Sequence, residues 1–484
     1  MMRSFFVACC ATAGAGLLLQ CSSAPSLCMG VAECDALYGE GGVEAGSCDT
    51  AQAPANVSED YGVFVNGDVD ATADADGTKD KPFKTMEQAL ENLAGKSKVF
   101  VCASSGAYAE QVNLPANVSL FGGFECGTWV YNCEKPKVAP DHPGVALNVS
   151  GSSGATVADM EFVSRDAPSA GDSSIAVFIA NSTGIVLQRV AATAGNGMSA
   201  SSMGNPDSNY CDNVQGNAGG TTGGLEQACD CTDGTGSVGG KGGDANADGE
   251  TGSPIIVDGN HDGAGGAAGS IGHAGADANT TANGGDGAPD FGELLATSWQ
   301  PAFGSTGTNG SPGQGGGGGG GSDVSGGGGG GGGGCGGTAG SGGAGGGASI
   351  VVAVYRSNVT ISECNLTSGK AGDGGQGGKG EDGQGGGAAG AAGLGAAGGR
   401  GGSGSGGGGG GGGAGGISVG VLFSSGGTVN IDTATTVTLG AAGNGGAAGT
   451  QGAGGNNGVT TASNGSDGQP GVAGFSGAIF PPNP

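Results

Sequence analysis

The segment "GQGGGGGGGSDVSGGGGGGGGGC", residues 313–335, limits the possible folds more than any other part of the chain. Glycine has no side chain to bury, and each ordered glycine gives up about 1–2 kcal/mol of backbone freedom. With 121 Gly among 484 residues, the apolar core has to come from segments elsewhere. The expectation for the tracts themselves is a flexible, solvated loop. A packed alternative also exists. Gly recurs at every third residue from Gly395 to Gly410, the period of extended threefold helices. Collagen is excluded, because residues 369–416 contain no Pro.

With the tracts set aside, four segments align. They are "GVALNVSGSSGATVADMEFVS" from Gly144, "SIAVFIANSTGIVLQRVAAT" from Ser174, "SIVVAVYRSNVTISECNLTS" from Ser349 and "GISVGVLFSSGGTVNIDTATT" from Gly416. Each has an alternating β-branched run, a short Ser/Gly/Asn turn, and a second run with apolar or small residues at i, i+2, i+5 and i+7. In the first segment these are Ala155, Val157, Met160 and Phe162. In the second they are Ile185, Leu187, Val190 and Ala192, and in the third Val359, Ile361, Cys364 and Leu366. The fourth gives Val429, Ile431, Ala434 and Thr436. Alternation of this kind buries one face of a strand. A recurring unit of short strands predicts an all-β solenoid in which each unit covers its neighbour. The extra residues in the long gaps begin just after the second run, at "AGNGMS" and "SGKAGDGG". The tracts are therefore expected to be insertions at one corner, held by the repeats and adding little to stability.

Residues 76–124 read as the start of the coil. Thr85 and Gln88 make a capping-box pattern, and Met86, Ala89, Leu90 and Leu93 form one helical face that ends at Gly95. Such a helix would cover the open apolar end of a solenoid. The stretches "GTKDKPFKTMEQAL", "VFVCASSGAYAEQV" and "SLFGGFECGTW" resemble the N-terminal part of right-handed parallel β-helix proteins of the pectin-lyase-like superfamily. More narrowly, they resemble Gly-rich exported proteins of myxobacterial type, and the tracts are PE-PGRS-like in composition. The resemblance covers residues 60–195 and the repeats near 350 and 420. It implies the fold and leaves the chemistry open.

Arg3 and the apolar run Phe5–Leu19 read as an export signal. Leu18-Leu19-Gln20-Cys21 resembles the lipobox of bacterial lipoproteins, with Gln20 where that box has Gly, Ala or Ser. This implies acylation at Cys21, the alternative being an ordinary cleaved signal. The expected localisation is the cell envelope or outer surface, with membrane contact only through the lipid. The expected organisation is a signal at 1–21, a Cys-containing linker at 22–58, and a cap with the first repeats at 59–195. An acidic glycine-rich insertion (196–348), a repeat (349–370), a second insertion (371–415), the last repeat (416–440) and a glycine-rich tail (441–484) complete the chain.

There are 14 Cys, of which 11 follow Cys21. In an exported chain they read as disulfides. Cys102, Cys126 and Cys133 lie close in sequence, as do Cys211, Cys229 and Cys231, so bonds within each group are expected. Cys364 falls at an inward position and reads as a buried thiol. The spacing does not suggest zinc, and no metal site is assigned.

Forty-three acidic residues against 15 basic ones give a net charge of −28, which excludes a nucleic-acid partner. Residues 200–348 carry 12 Asp and three Glu against one Lys and read as a hydrated, outward-projecting loop. "DVDATADADG" (68–77) fails as a calcium loop, since Thr72 stands at its first ligand position and Phe83 at its twelfth. "GGKGGDANA" from Gly239 matches the calcium-binding nonapeptide once, without a tandem copy. Weak Ca²⁺ binding is the most that is expected, and no other cofactor. His261 and His273 lie in low-complexity sequence. Four Arg follow the signal, Arg165, Arg189, Arg356 and Arg400, and no repeat places paired carboxylates beside one of them. The reading is a non-catalytic surface protein with a structural, adhesive or display role, without assigned catalytic residues. Its partners are unidentified, with cell-surface or matrix components as the class considered. The alternatives are a β-helix polysaccharide lyase or glycoside hydrolase, and a weak Ca²⁺- or ice-binding surface.

Overall fold

The alternating runs form strands, and the strands return in a fixed cycle. A computed structural model describes residues 48–70, 74–256 and 263–480. The chain divides after Cys48, and the strands of the described residues all lie in the unit that begins at Asp49. It opens with β1 (Gly62–Val65), helix α1 (Met86–Glu91) and β2 (Lys98–Ala103). Next come β3 (Val112–Leu114), β4 (Ser119–Glu125) and β5 (Lys137–Val138), then β6 (Leu147–Ser150), β7 (Thr156–Ala158) and β8 (Glu161–Val163). A third group is β9 (Ser174–Ala180), β10 (Ile185–Gln188) and β11 (Ala191–Thr193). Two antiparallel hairpins interrupt the cycle, β12 (Gln227–Asp230) with β13 (Gly236–Gly239), and β14 (Gly292–Leu294) with β15 (Trp299–Pro301). The cycle resumes with β16 (Ser349–Tyr355), β17 (Asn358–Ser362) and β18 (Asn365–Thr367), then β19 (Ser418–Phe423), β20 (Thr428–Ile431) and β21 (Thr436–Thr438). The final strand is β22 (Ser476–Phe480).

Three parallel sheets result. The first is ordered β1-β2-β4-β7-β10-β17-β20, the second β5-β8-β11-β18-β21 and the third β3-β6-β9-β16-β19-β22. Each group visits the third, the first and the second sheet in turn. Equivalent residues stack in register: Val157, Leu187, Ile361 and Ile431 in the first sheet, Phe162, Ala192 and Leu366 in the second. Together with Val177 and Val352 they belong to one continuous apolar core. Val437, not Thr436, pairs with Leu366. The fourth segment carries one extra residue in its corner, so the sequence alignment slips there.

The corners repeat as well. Asp159, Arg189 and Glu363 follow the first-sheet strands with φ of 57°, 53° and 55°. Gly151, Asn181 and Arg356 follow the third-sheet strands with φ of 64°, 49° and 45°. Behind each of the latter stands a buried serine, and these bond from level to level: Ser152 N donates to Ser182 Oγ, and Ser182 N to Ser357 Oγ. Helix α1 packs on β1, β2 and β3. Thr85 Oγ1 accepts from Gln88 N, Gln88 Oε1 accepts from Lys84 N, and the Glu110 carboxylate accepts from Met86 N and Glu87 N. Burial of Glu110 raises its pKa above the ordinary value despite those bonds.

The glycine tracts are packed, not loose, which overturns the flexible-loop expectation. Residues 194–348, 368–417 and 439–475 all leave the second sheet and return to the third. Residues 441–484, read as a tail, thus contain a third excursion that comes back as β22. Within the excursions the bonding repeats every third residue. Gly304, Gly307, Gly310, Gly313, Gly316 and Gly319 donate to the carbonyls of Gly343, Gly340, Gly337, Gly334, Gly331 and Gly328, an antiparallel pair of tracts. Ser322 N donating to Ser325 O closes the turn between them, so "SDVS" is a tip between two glycine runs.

The tract at 396–416 sits innermost. Its amides donate to three neighbours: Gly408 and Gly411 to the carbonyls of Thr308 and Ser305, Gly407 and Gly410 to those of Glu381 and Gly378, and Gly409 and Gly412 to those of Ser466 and Gln469. Its carbonyls accept from three others, through Gly340 and Gly343, Gly285 and Ala288, and Gly446 and Gly449. Residues 401–416 are all buried. This is a core of main-chain atoms, in which paired N–H and C=O groups take the place of side chains.

Six aspartates serve the same bonding. At the margins Asp373 accepts from Asn444 N, Asp382 from Ala453 N, Asp467 from Gln451 N and Asp277 from Ser403 N. In 200–348, Asp244 accepts from Gly223 N and Asp248 from Ala268 N. These carboxylates bridge to donors on neighbouring segments, in place of the projecting, self-repelling loop expected from composition.

Candidate functional site

The longest excursion contains an aromatic-rich apolar island, "FGELLATSWQPAF" at 291–303. It folds as hairpin β14–β15, with Leu294 opposite Trp299. Gly292 has φ +133°, and a Cβ there would lie 2.2 Å from Gln300 O, so the tight approach of the two strands needs glycine. The hairpin lies over the outer face of the third sheet, where Leu294 and Trp299 join Ile175, Phe178, Ile350, Ala353 and Leu422. This explains why β9 and β16 read "SIAVFIA" and "SIVVAVY" without polar alternation: both of their faces are buried.

Where the hairpin passes the strand ends a groove of about 510 Å³ opens. Its floor is a stepped series set by register, since Val354 pairs with Phe423 and Leu422 with Phe480. Phe480 packs edge-on against Phe291, with ring centroids 5.5 Å apart, and at 5.2 Å from Phe475. Tyr355 lies under the Arg356 guanidinium, 5.2 Å from the ring centre. The far wall brings Trp299, Gln300 and Phe303 beside the carboxylates Asp290 and Glu293. Phe303 is 54% exposed, unusual for a ring of that size, and Trp299 Nε1 is buried without a hydrogen-bond partner. The groove offers ring faces flanked by exposed acidic groups, a lining suited to an amphipathic ligand. Sequence reasoning missed it because its walls come from residues near 290, 355, 423 and 480. The usable signal was the aromatic island within a glycine-rich stretch.

The arginines divide sharply. Arg189 is locked to Asp159, its Nε and Nη2 each donating over 2.7 Å, and that hydrogen-bonded carboxylate raises the arginine's pKa. Arg165 Nε donates to Pro140 O, and Arg400 Nη1 to Asn457 O. Arg356 alone of the four lines the groove. His273 is exposed, and its backbone is part of the glycine bonding, while His261, Thr72 and Cys21 lie outside the described residues. Asp76 accepts from Thr78, and Asp74 pairs with Lys81 at 3.5 Å.

Cys102 bonds to Cys126 and Cys211 to Cys229, while Cys231 leaves its sequence cluster to bond Cys335 at the end of a glycine run. Cys133 is disulfide-bonded as well. Cys229 Sγ lies 3.4 Å from Cys335 Sγ, so two disulfides adjoin. Gln384 clamps them, its Oε1 accepting from Cys211 N and Cys335 N while its Nε2 donates to Cys211 O. The sulfurs of Cys211, Cys229 and Cys335 lie close together, but a disulfide sulfur is not the thiolate that metals take. Cys364 is a free, fully buried thiol whose pKa burial pushes up to about 11. The disulfides indicate an oxidising environment of the kind found outside the cytoplasm. No helix among the described residues is long and apolar enough to cross a membrane. Comparison with protein-family models, curated proteins and solved structures gives no match to this chain.

Proposed function

We propose that this chain is an exported, non-catalytic surface protein, a right-handed parallel β-helix of pectin-lyase-like type that carries a slab of glycine tracts and serves a structural, adhesive or display role. The cyclic order of strands through three parallel sheets supports the solenoid reading. The observation that carries the role is the tract bundle. Most of the described length outside the strands is spent on main-chain bonding that fixes shape, while outward positions include small or polar residues such as Ala441, Asn444, Ala447 and Thr450. Such a body holds surface features at a fixed distance and performs no reaction of its own. Acylation at Cys21 would tether it to the envelope.

The test uses a lipoprotein-competent bacterial host. The wild-type chain is expected in the membrane fraction and accessible to protease on intact cells, and Cys21→Ala is expected in the medium. The purified chain, incubated with acidic and neutral polysaccharides with and without Ca²⁺, is expected to give neither unsaturated products nor new reducing ends. Turnover that disappears in Arg356→Ala would replace this reading with a lyase or hydrolase. Undiminished membrane retention of Cys21→Ala would remove the anchor.

A further inference from the structure

We infer that the aromatic groove is a docking site for an extended basic peptide, one whose cationic residues alternate with aromatic or aliphatic ones. This goes beyond the structural role. The third sheet ends at β22, which is paired with β19 and with no other strand among the described residues. Its outer edge therefore presents a row of main-chain donors and acceptors, a template that only another polypeptide strand can extend. Along β22, Ser476, Ala478 and Ile479 are exposed, so nothing described covers that edge.

The groove begins where this strand ends. Phe480 is its last residue; Phe423 at the end of β19 and Tyr355 at the end of β16 carry the apolar surface inward across the sheet, under Trp299 and Phe303 of the hairpin. A strand added to the free edge of β22 would set alternate side chains beside Phe480 and the Phe291 ring packed on it, at the mouth of the groove, since successive residues of a strand point to opposite faces. The volume of about 510 Å³ falls in the range of about 300–1,000 Å³ usual for ligand clefts.

Charge selects the peptide. Asp290 and Glu293 stand exposed on the hairpin wall, on a chain whose net charge is −28. That field draws in cations and repels acidic ligands. Arg356 is the one basic group in the lining, and its guanidinium lies over Tyr355, extending the ring surface. A neutral glycan would stack on the rings but would gain nothing from the carboxylates or from the open strand edge.

The experiment measures binding to the full oxidised chain by fluorescence anisotropy. The probe is a labelled octapeptide of alternating Lys and Tyr. Its comparators are the Glu/Tyr octapeptide, the Lys/Tyr octapeptide N-methylated at alternate amides, and cellohexaose and xylohexaose as competitors. The Lys/Tyr peptide is expected to bind, more weakly at high salt. The Glu/Tyr and N-methylated peptides are expected not to bind. Asp290→Asn with Glu293→Gln should weaken binding roughly three- to tenfold, as loss of two exposed ion pairs would. Phe303→Ala, at an exposed ring that the fold does not need, should weaken it as well. Asp80→Asn with Glu91→Gln, two exposed acids on the α1 side, should leave it unchanged. If that control pair weakens binding as much as the groove pair does, the attraction is general and the site is not the groove. Undiminished binding of the N-methylated peptide rules out strand addition, and displacement by either oligosaccharide reassigns the groove to a glycan.

Discussion

The main-chain core makes a sharp claim about Gly411. A Cβ built there would lie 1.8 Å from Asp286 O, and one on Gly410 would lie 2.0 Å from Ser341 O. No glycine from 395 to 416 has a positive φ, so proximity, not backbone conformation, demands glycine. In Gly411→Ala the tract around Asp286 has to retreat by more than 1 Å to reach an ordinary carbon–oxygen contact. That retreat breaks Gly285 N to Gly409 O at 2.8 Å and Ala288 N to Gly412 O at 2.9 Å. Two backbone bonds are worth about 0.5–1.5 kcal/mol each, and groups left buried and unpaired cost about 1–3 kcal/mol more. Ala recovers about 0.4–1 kcal/mol by restricting the unfolded chain. The net expectation is about 2–5 kcal/mol of lost stability. Gly204 is the control, because a Cβ there meets nothing within 4 Å, so Gly204→Ala should be neutral or slightly stabilising. Urea unfolding of the oxidised chain, followed by circular dichroism, reads both variants against wild type. If Gly411→Ala unfolds at the same urea concentration as Gly204→Ala, the tracts do not form a packed core.

Leu187→Ala, at a fully buried position in the first sheet, should cost about 2–5 kcal/mol in the same assay. Deleting 372–413 removes the innermost tract and one of its neighbours, so it should destabilise the chain at least as much. A melting temperature unchanged by the deletion would return the tracts to the status of loose insertions. Asp382 has its carboxyl held below the ordinary value of 3.8, chiefly by the Ala453 amide. A lowered folded pKa gives stability that is complete above the unfolded pKa and is lost as pH falls through the folded one. The stability difference between wild type and Asp382→Asn should therefore be constant at neutral pH and shrink below 3.8; a difference that grows on acidification contradicts this. Cys364, raised to about 11 by burial, should resist iodoacetamide at pH 8 in the folded chain and react once it is unfolded, as mass spectrometry of the tryptic peptide would record.

The strands were legible because their side chains carry a period of two, and Val157, Leu187 and Ile361 stack as that period requires. The slip at Thr436 was not, because one extra residue in a corner leaves the alternation on either side intact. The tracts were misread for a physical reason. A run of glycines has no side-chain pattern to reveal burial, and the neighbours of Gly409, Gly410 and Gly411 come from segments around 449, 341 and 286. The threefold spacing from Gly395 to Gly410 was visible, but its meaning depended on those distant partners. The aspartates misled similarly. Asp244 and Asp382 look like solvated charge until the amides of Gly223 and Ala453 are placed beside them. The groove was hidden because a strand end, a corner and a hairpin share no local pattern.

The three-residue period of the bonding also governs how such a chain can change length. Tips such as Ser322–Ser325 join two tracts whose pairing runs Gly319 to Gly328, Gly316 to Gly331 and onward. Adding three residues to each side of a tip extends the ladder by one step and leaves every existing bond in phase. Adding one or two turns the tract about its axis and points bulky residues at a neighbour's carbonyls. Changes of length that spare the fold therefore come in matched steps, three residues on each side of a tip and six in all, and an insertion confined to one side leaves the two tracts out of step.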